Sequence, residues 1–340
     1  MTADRIALLF YRATPLALIV AVVLAAASGA VAADKVTLAT NWVAQPELGG
    51  FYQALADGTY AKHGLEVTIK PGGPMINNRP LLAFGKIDFL IGTNMLQAFD
   101  AVKQKIPTKV VAAFFQKDPQ CILVHADGPY KTWDDLKRAP LLMGNSGRQS
   151  FFLWMHAEHG FPRANLRPYN HSLAPFLNDK NSAMQGFATA KPMRIEEASG
   201  MAPRLFLLAD HGWNSYSTVL ETRDDLINEK PELVQRFVDA SISGWQRYLE
   251  GHETAAADAL IKMENRAMTD GQIAYSRKAM RELGLVESGD AAKLGVGAID
   301  VERVRTFYET MAAAEMYKPG EIDPAKSVST EFVNKSVGVR

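Results

Sequence analysis

Beyond residue 33, the apolar positions of this 340-residue chain switch repeatedly between a two-residue and a three-to-four-residue period. Residues 36–39 form a short apolar run that opens onto Thr40-Asn41-Trp42-Val43-Ala44-Gln45-Pro46-Glu47. Leu48, Phe51, Tyr52 and Leu55 then share one face at helical spacing, which predicts a helix over 48–62. Gly58 interrupts it, and His63 and Gly64 end it well, a cation beside the last carbonyls followed by a residue free to take positive φ. Residues 65–70 alternate as a half-exposed strand does, and Pro71-Gly72-Gly73-Pro74 turns the chain. A short helix over 78–84, a buried strand over 87–92, a helix over 94–103 capped by Thr93 or Asn94, and strands over 109–116 and 121–125 follow. Strand alternating with helix predicts a parallel, doubly wound sheet covered on both faces. Such sheets bind ligands at the C-terminal ends of their strands.

The pattern then repeats. Thr132-Trp133-Asp134-Asp135 reads as a helix start. Residues 141–143 form a strand ending at Gly144-Asn145-Ser146-Gly147-Arg148, before an aromatic-rich helix. A strand over 167–170, a helix over 174–185 and strands over 187–189 and 205–209 complete a second α/β unit. After a strand over 216–221 the chain is almost wholly helical: Pro231 suits a first turn, and Leu233, Phe237, Ile242, Trp245 and Leu249 fall on one face. Further helices are predicted over 254–263, 269–283 and 300–316. The expected organisation is therefore a first lobe over 33–125, a second over 126–211, and a return to the first over 212–340. Two connections, near 125 and 212, form a hinge, and the cleft between two such lobes is a natural ligand site closed by hinge motion.

Composition narrows what that cleft does. Arg5 and Arg12, an uncharged stretch over 13–33 and the ending Ala30-Val31-Ala32 describe a secretory signal peptide, residues 1–32, cut after Ala32. The alternative is an uncleaved anchor, since the uncharged run nearly reaches the roughly 20 residues that span a bilayer. Removing residues 1–32 leaves 35 basic and 36 acidic residues of the 37 of each in the whole chain, so the mature protein is neutral. That balance argues against nucleic acid as a partner. Cys121 is the sole cysteine, set in the apolar run Cys121-Ile122-Leu123-Val124, and reads as a core residue. No cysteine lies near the cleavage site for lipid attachment. A protein free in the periplasm is expected.

Asn41-Trp42 with Gln45-Pro46-Glu47, Gly49-Gly50-Phe51-Tyr52-Gln53-Ala54, Gly58-x-Tyr60-x-x-x-Gly64-Leu65-x-Val67 and Gly72-Gly73-Pro74 carry a resemblance. So do Asn77-Asn78-Arg79, Gly85-Lys86-Ile87-Asp88-Phe89, Phe115-Gln116-Lys117-Asp118-Pro119 and Tyr216-Ser217-Thr218 with Glu221-Thr222-Arg223. In this order they resemble solute-binding proteins of the thiamine-pyrimidine-synthesis-like group, which serve importers for nitrate, sulfonates, taurine and thiamine pyrimidine precursors. The resemblance implies a two-lobed, type II-like α/β periplasmic binding protein, monomeric, without a cofactor, delivering a small molecule to the membrane permease of an ABC transporter. Gly-Gly-Phe-Tyr and Gly-Gly-Pro incline towards the pyrimidine-precursor branch, whose members hold a flat aminopyrimidine between aromatic rings against a carboxylate.

Residues suited to that chemistry are present. Trp42 and Tyr52 offer stacking faces, Asn41, Gln45, Asn94 and Gln116 offer amides, Glu47 and Tyr216 are further polar candidates, and Glu196 is an acceptor from the opposite lobe. A carboxylate facing an amidine-like edge makes a two-bond, charge-assisted match. Structural readings stand beside these: Trp42 covering the hinge, Tyr52 in the core, Asn41 and Asn94 as helix caps, Glu196 exposed beside Glu197. Where the group's strand-end motif carries a carboxylate this chain has Thr189-Ala190-Lys191-Pro192. The rival ligand is a small anion held by Ser146 and Gly147 at a strand-to-helix junction beside Arg148, with Arg79 and Lys117 as further cations. An enzyme is the alternative from another class, because eukaryotic relatives of the group make the thiamine pyrimidine. Those enzymes carry a cysteine cluster, and one cysteine does not reproduce it. His156 and His159, three apart in His156-Ala157-Glu158-His159, lack a clear third ligand and read as surface residues. An exported sensor of the same ligand is the third reading.

Overall fold

The computed structural model describes residues 32–337 except 75 and 171, so residues 1–31 of the expected export segment lie outside the described residues. β1 (Asp34–Ala39) runs parallel to β2 (Leu65–Lys70), in register from Asp34 opposite Leu65 to Ala39 opposite Lys70. β3 (Phe89–Asn94) lies parallel to the other edge of β1. β4 (Thr108–Phe115) ends the first run of strands, and β5 (Gln120–Val124) crosses into a second sheet. That sheet adds β6 (Leu141–Met143), β7 (Leu166–Pro168), β8 (Ala183–Phe187) and β9 (Arg204–Leu207) before β10 (Ser217–Arg223) returns to the first. The two sheets have five strands each, in the orders β2-β1-β3-β10-β4 and β7-β6-β8-β5-β9.

Two expectations change here. Neither sheet is wholly parallel: β10 is antiparallel to β3 and β4, and β5 is antiparallel to β8 and β9. In each sheet the reversed strand is the one that enters straight from the other lobe. A strand buried on both faces is apolar in either direction, so its sense leaves no mark in the sequence. The first crossover, expected near 125, lies at 116–119, because β5 pairs within the second sheet. The helix expected over 174–185 is only Ala174–Asn178, and a strand takes over at Ala183. Asn178-Asp179-Lys180-Asn181 turns the chain there, with the Ser182 N–H donating to the Asp179 carbonyl at 3.0 Å.

Both sheets are covered on two faces. In β5, Ile122 and Val124 join the main core while Cys121 and Leu123 pack with Leu142, Phe176 and Met184 on the opposite face. Cys121 is fully buried, as expected, and burial pushes its thiol up. From Asp34 onward the chain forms one compact unit. Among the described residues no helix is long and apolar enough to cross a membrane.

The helices of the return position the cleft. Pro231–Glu250 presents Trp245 and Tyr248 to the Gly49–Ala56 helix, and the approach is close. A Cβ on Gly49 would stand 2.0 Å from the Tyr248 ring, and one on Gly50 would stand 2.2 Å from Trp245. The Gly-Gly pair is thus a packing feature, and it sets where the residues just before it, Gln45 to Leu48, must lie.

Candidate functional site

The segment after β1 is pinned at several points. The buried Thr40 hydroxyl donates to the Trp42 carbonyl at 2.7 Å and accepts from the Gly72 N–H at 3.0 Å. The Asn78 amide donates to the Thr40 carbonyl at 3.0 Å. A Cβ on Gly72 would stand 2.3 Å from that carbonyl oxygen, so the Gly-Gly-Pro turn lets two loops meet backbone to backbone. Trp42 stays 42% exposed, and Val43 and the exposed Ile76 pack beside Gly73 of that turn. Asn41 points to the end of β3, its amide donating to the Thr93 hydroxyl at 2.8 Å.

Glu47 sits in a single turn of 3-10 helix, Pro46–Leu48, and is only 4% exposed. Its carboxyl accepts a short hydrogen bond from the hydroxyl of the buried Thr189, two residues beyond the end of β8 in the second lobe. Burial pushes the Glu47 carboxyl above the usual carboxylate range, opposed by the Thr189 hydroxyl and the nearby Arg194 guanidinium. A third element closes the site, the helix Asp270–Glu282 of the return. Its Ser276 hydroxyl donates to the Thr189 carbonyl at 2.7 Å. Beside this junction is a cavity of about 40 Å³. Gln45 and Glu47 line it from the first lobe, Met193 and Arg194 from the second, and Gln272 and Tyr275 from the return helix. Burial raises the Tyr275 phenol to about 12, so it is a neutral donor at physiological pH.

Of the residues singled out in the sequence, Gln45 and Glu47 reach this cavity, while Asn41 and Trp42 precede them in the same loop and are not among its lining residues. Others serve the fold. Tyr52 is 2% exposed within the main core. Asn94 caps the Met95–Lys103 helix, accepting from the Leu96 N–H at 3.2 Å. The buried Gln116 amide donates to the Ala113 and Ala298 carbonyls at 3.0 and 3.1 Å. Tyr216 donates a short bond to Asp290 and accepts from the Asp300 N–H at 2.8 Å. Glu196 is exposed, because the apolar side of the Lys191–Ser199 helix at Pro192 and Ile195 turns it outward. Ser146 and Gly147 lie in a four-residue helical turn, Asn145–Arg148, with Gly147 against Gln185 and Arg148 donating to the Met143 carbonyl at 2.9 Å. Arg79 is paired bidentately with the buried Glu221, at 2.6 and 2.7 Å, and Lys117 is paired with Asp210 at 2.9 Å. Neither cation is free to take an anion in this arrangement.

The hinge contains residues that sequence reasoning missed. Asp118, in the first crossover, is fully buried and accepts from Trp213 of the second at 3.1 Å. Burial raises its carboxyl to about 6, opposed by hydrogen bonds from Trp213, the Gln120 N–H and Asn94. Arg303 spans the same two segments, donating to the Gln116 carbonyl at 2.5 Å and the Asn214 carbonyl at 3.2 Å. Its guanidinium pairs with Asp290 at 2.9 Å and lies 4.0 Å over the Tyr216 ring. Only a sequence signal as weak as Asp118 before Pro119 hinted at any of this.

Two α/β lobes joined by paired crossovers, with polar groups from both converging on one cavity, define the periplasmic-binding-protein fold. A family model described as NMT1/THI5 like matches residues 45–255, more than half of the chain. The chain belongs to the NMT1/THI5-like family. It is similar to the riboflavin-binding protein RibY of Chloroflexus aurantiacus, at 24% identity over 310 residues covering 88% of this chain and 86% of that one. Among solved structures, the aliphatic sulphonate binding protein SsuA of Escherichia coli superposes with a TM-score of 0.66 at 13% identity, over 87% of this chain and 92% of that one. The desulfurization enzyme DSZB superposes with a TM-score of 0.56 at 13% identity, over 89% and 99%. The fold therefore accommodates both binding proteins and an enzyme.

Proposed function

We propose that this protein is the periplasmic substrate-binding component of an ABC importer, and that it captures a small planar nitrogen heterocycle in the interlobe cleft. A thiamine pyrimidine precursor fits this description, and so does a flavin, the ligand class named for RibY. One observation carries the reading: a buried carboxyl, Glu47, faces the second lobe across the cleft with a hydroxyl already on it. A buried acceptor suits a ligand that brings N–H groups. Amides at Gln45 and Gln272 complement the polar edge of such a ring, while Met193, Met268 and the Tyr275 ring suit its faces. The exposed Trp42, in the loop that leads to Gln45, offers a further stacking surface. Capture without chemistry is the reading we adopt, in line with the binding proteins among the chain's structural neighbours. It is further supported by a lone cysteine whose thiol burial keeps protonated.

A second reading, a sulfonate or other small anion, draws support from Arg194 in the cavity wall and from the likeness to SsuA. Thermal unfolding in the presence of 4-amino-2-methylpyrimidines, riboflavin, alkanesulfonates and nitrate separates the two, since a ligand of the folded state raises the transition by mass action. A shift with the pyrimidines or riboflavin alone is expected. A shift confined to sulfonates or nitrate rejects the heterocycle. The monomeric state and the permease partner belong to the same proposal, and light scattering of the purified protein checks the first.

A further inference from the structure

The cavity beside Glu47, at about 40 Å³, has room for roughly three waters, since one occupies ~10–15 Å³ on the same measure. Small-molecule sites run to several hundred Å³, on the order of 300 or more. A ring system enters only if the walls separate. Two direct polar ties hold those walls together at this point, and both converge on one residue. The Thr189 hydroxyl is bound by Glu47 of the first lobe, and its carbonyl by Ser276 of the return helix. That helix is itself fastened on the first-lobe side, with Arg277 paired to Asp258 at 2.6 Å and Arg281 donating to the Leu249 carbonyl at 2.7 Å. Thr189 is fully buried, so water does not compete for either bond.

We propose that Glu47, Thr189 and Ser276 form an interlobe latch that ties the two lobes together across the cleft, and that Glu47 selects ligands by exchanging the Thr189 hydroxyl for a ligand hydrogen-bond donor. The second half of this proposal rests on the heterocycle reading above, and the first half does not. When the lobes part, Glu47 loses its one hydrogen-bond donor from the second lobe. An N–H or O–H of the ligand replaces that donor as the lobes close again. An acceptor-only ligand such as nitrate or a sulfonate offers nothing to the carboxyl and leaves the exchange unbalanced. Selection for donors thus follows from the requirement that a buried acceptor be satisfied both before and after binding.

Small-angle scattering of the ligand-free protein tests the latch without any ligand. Thr189→Val removes the hydroxyl at nearly constant shape, and Glu47→Leu removes the acceptor. Both are expected to increase the radius of gyration, and the double variant is expected to add nothing to the larger single effect, because the two residues make one bond. Ser276→Ala is expected to give a smaller increase of the same sign, and circular dichroism confirms that each variant is folded. Radii unchanged in all three variants overturn the latch. For selection, titration with 4-amino-2-methylpyrimidine and riboflavin is expected to show Kd raised tenfold or more in Glu47→Leu, and lowered in Thr189→Val. Equal weakening in both variants overturns the exchange. If neither compound binds the unaltered protein, the heterocycle reading and donor selection fall together, while the scattering result still decides the latch.

Discussion

The two sheets have one plan executed at two scales. β1, β2, β3, β10 and β4 correspond in order and direction to β6, β7, β8, β5 and β9. The first sheet uses strands of six to eight residues, the second strands of three to five. Each places a glycine near the end of the strand beside its reversed neighbour, Gly92 in β3 and Gly186 in β8. What the glycines accommodate differs. A Cβ on Gly92 would stand 2.2 Å from the Glu221 carboxylate, and one on Gly186 would stand 2.5 Å from a terminal methyl of Leu123. The first sheet has a charge pair built into its interior and the second an ordinary apolar contact. The expectation that follows is a first lobe that acts as the fixed wall, tied by a charge pair, and a second that acts as the adapting one.

The largest expected effect follows from that contrast. Arg79→Met leaves Glu221, 1% exposed, without its cation, and removing one partner of a buried pair costs about 3–5 kcal/mol. The second lobe's Lys180–Asp127 pair lies at the surface, and Lys180→Met is expected to leave the melting temperature unchanged. Chemical denaturation of the two variants makes the comparison, and similar losses in both would remove the distinction drawn between the lobes. If Arg79 served an anionic ligand instead, its variant would lose binding with little loss of stability.

The glycine pair gives the next step down. Gly92→Ala must displace a carboxylate held by two charge-assisted bonds and is expected to cost about 3 kcal/mol, near the upper end for overpacking. Gly186→Ala meets the far end of a leucine at 2.5 Å and, less closely, the Lys191 Cβ at 3.2 Å, and about 1 kcal/mol is expected as the leucine changes rotamer. The two melting curves should separate by several degrees. Coincident curves would mean that the interior charge pair does not stiffen the first sheet.

The crossovers that join the lobes yield a pH-dependent test. The Asp118 carboxyl titrates near 6 in the folded protein, well above its ordinary value of 3.8, because burial disfavours the charged form. Between those two values the native state holds a proton that the unfolded state has released. Its contribution to stability is fully present below about 3.8 and is lost as pH rises through 6, with a ceiling on the order of 3 kcal/mol. Glu47, also raised by burial, contributes with the same sign. Asp118→Asn is expected to flatten the stability profile between pH 4 and 7 without abolishing it. An unchanged profile would show that the hinge carboxyl stays ionised.

How much of this was legible in the sequence also divides along the two walls. Asn41 to Glu47 could be placed at a strand end because the apolar run of β1 stops at Thr40 and a helical period begins at Leu48. Everything needed was local. The opposite wall needed facts that are not local. Continuing the helix of 174–178 across the break at 178–181 displaced β8, so Thr189 was read inside a strand when it lies past the strand's end. The return helix was predicted over nearly its observed span, yet nothing in its pattern tells which residues on its polar side meet another lobe. Gln116 was read as a strand-end amide and Tyr216 as a further polar candidate, but their partners, the Ala298 carbonyl and Asp290, are distant in the chain. Polarity marked them as important without showing whether a ligand or the fold used it.

The smallest expected effect tests that second wall most directly. Arg194 and Glu196 lie two residues apart on one short helix, and the buried Ile195 between them fixes which way each turns. Both are exposed, but Arg194 also lines the cavity and acts on the Glu47 carboxyl, whereas Glu196 lies outside the lining and acts only on the Tyr275 phenol, which stays neutral. Glu196→Gln is expected to change neither the melting temperature nor the ligand-induced shift. Arg194→Gln removes the charge that opposes the rise of Glu47, so its carboxyl moves further up and the neutral form persists to higher pH. Ligand titrations at pH 6 and 8 read this out: affinity in Arg194→Gln should depend more steeply on pH than in the unaltered protein, and affinity in Glu196→Gln should not differ from it. A loss of binding in Glu196→Gln would mean that the cleft recruits the outer side of this helix when it closes on a ligand. The adapting wall would then rotate about Ile195 where a rigid approach is expected, and Arg194 would leave the Glu47 carboxyl in the same motion.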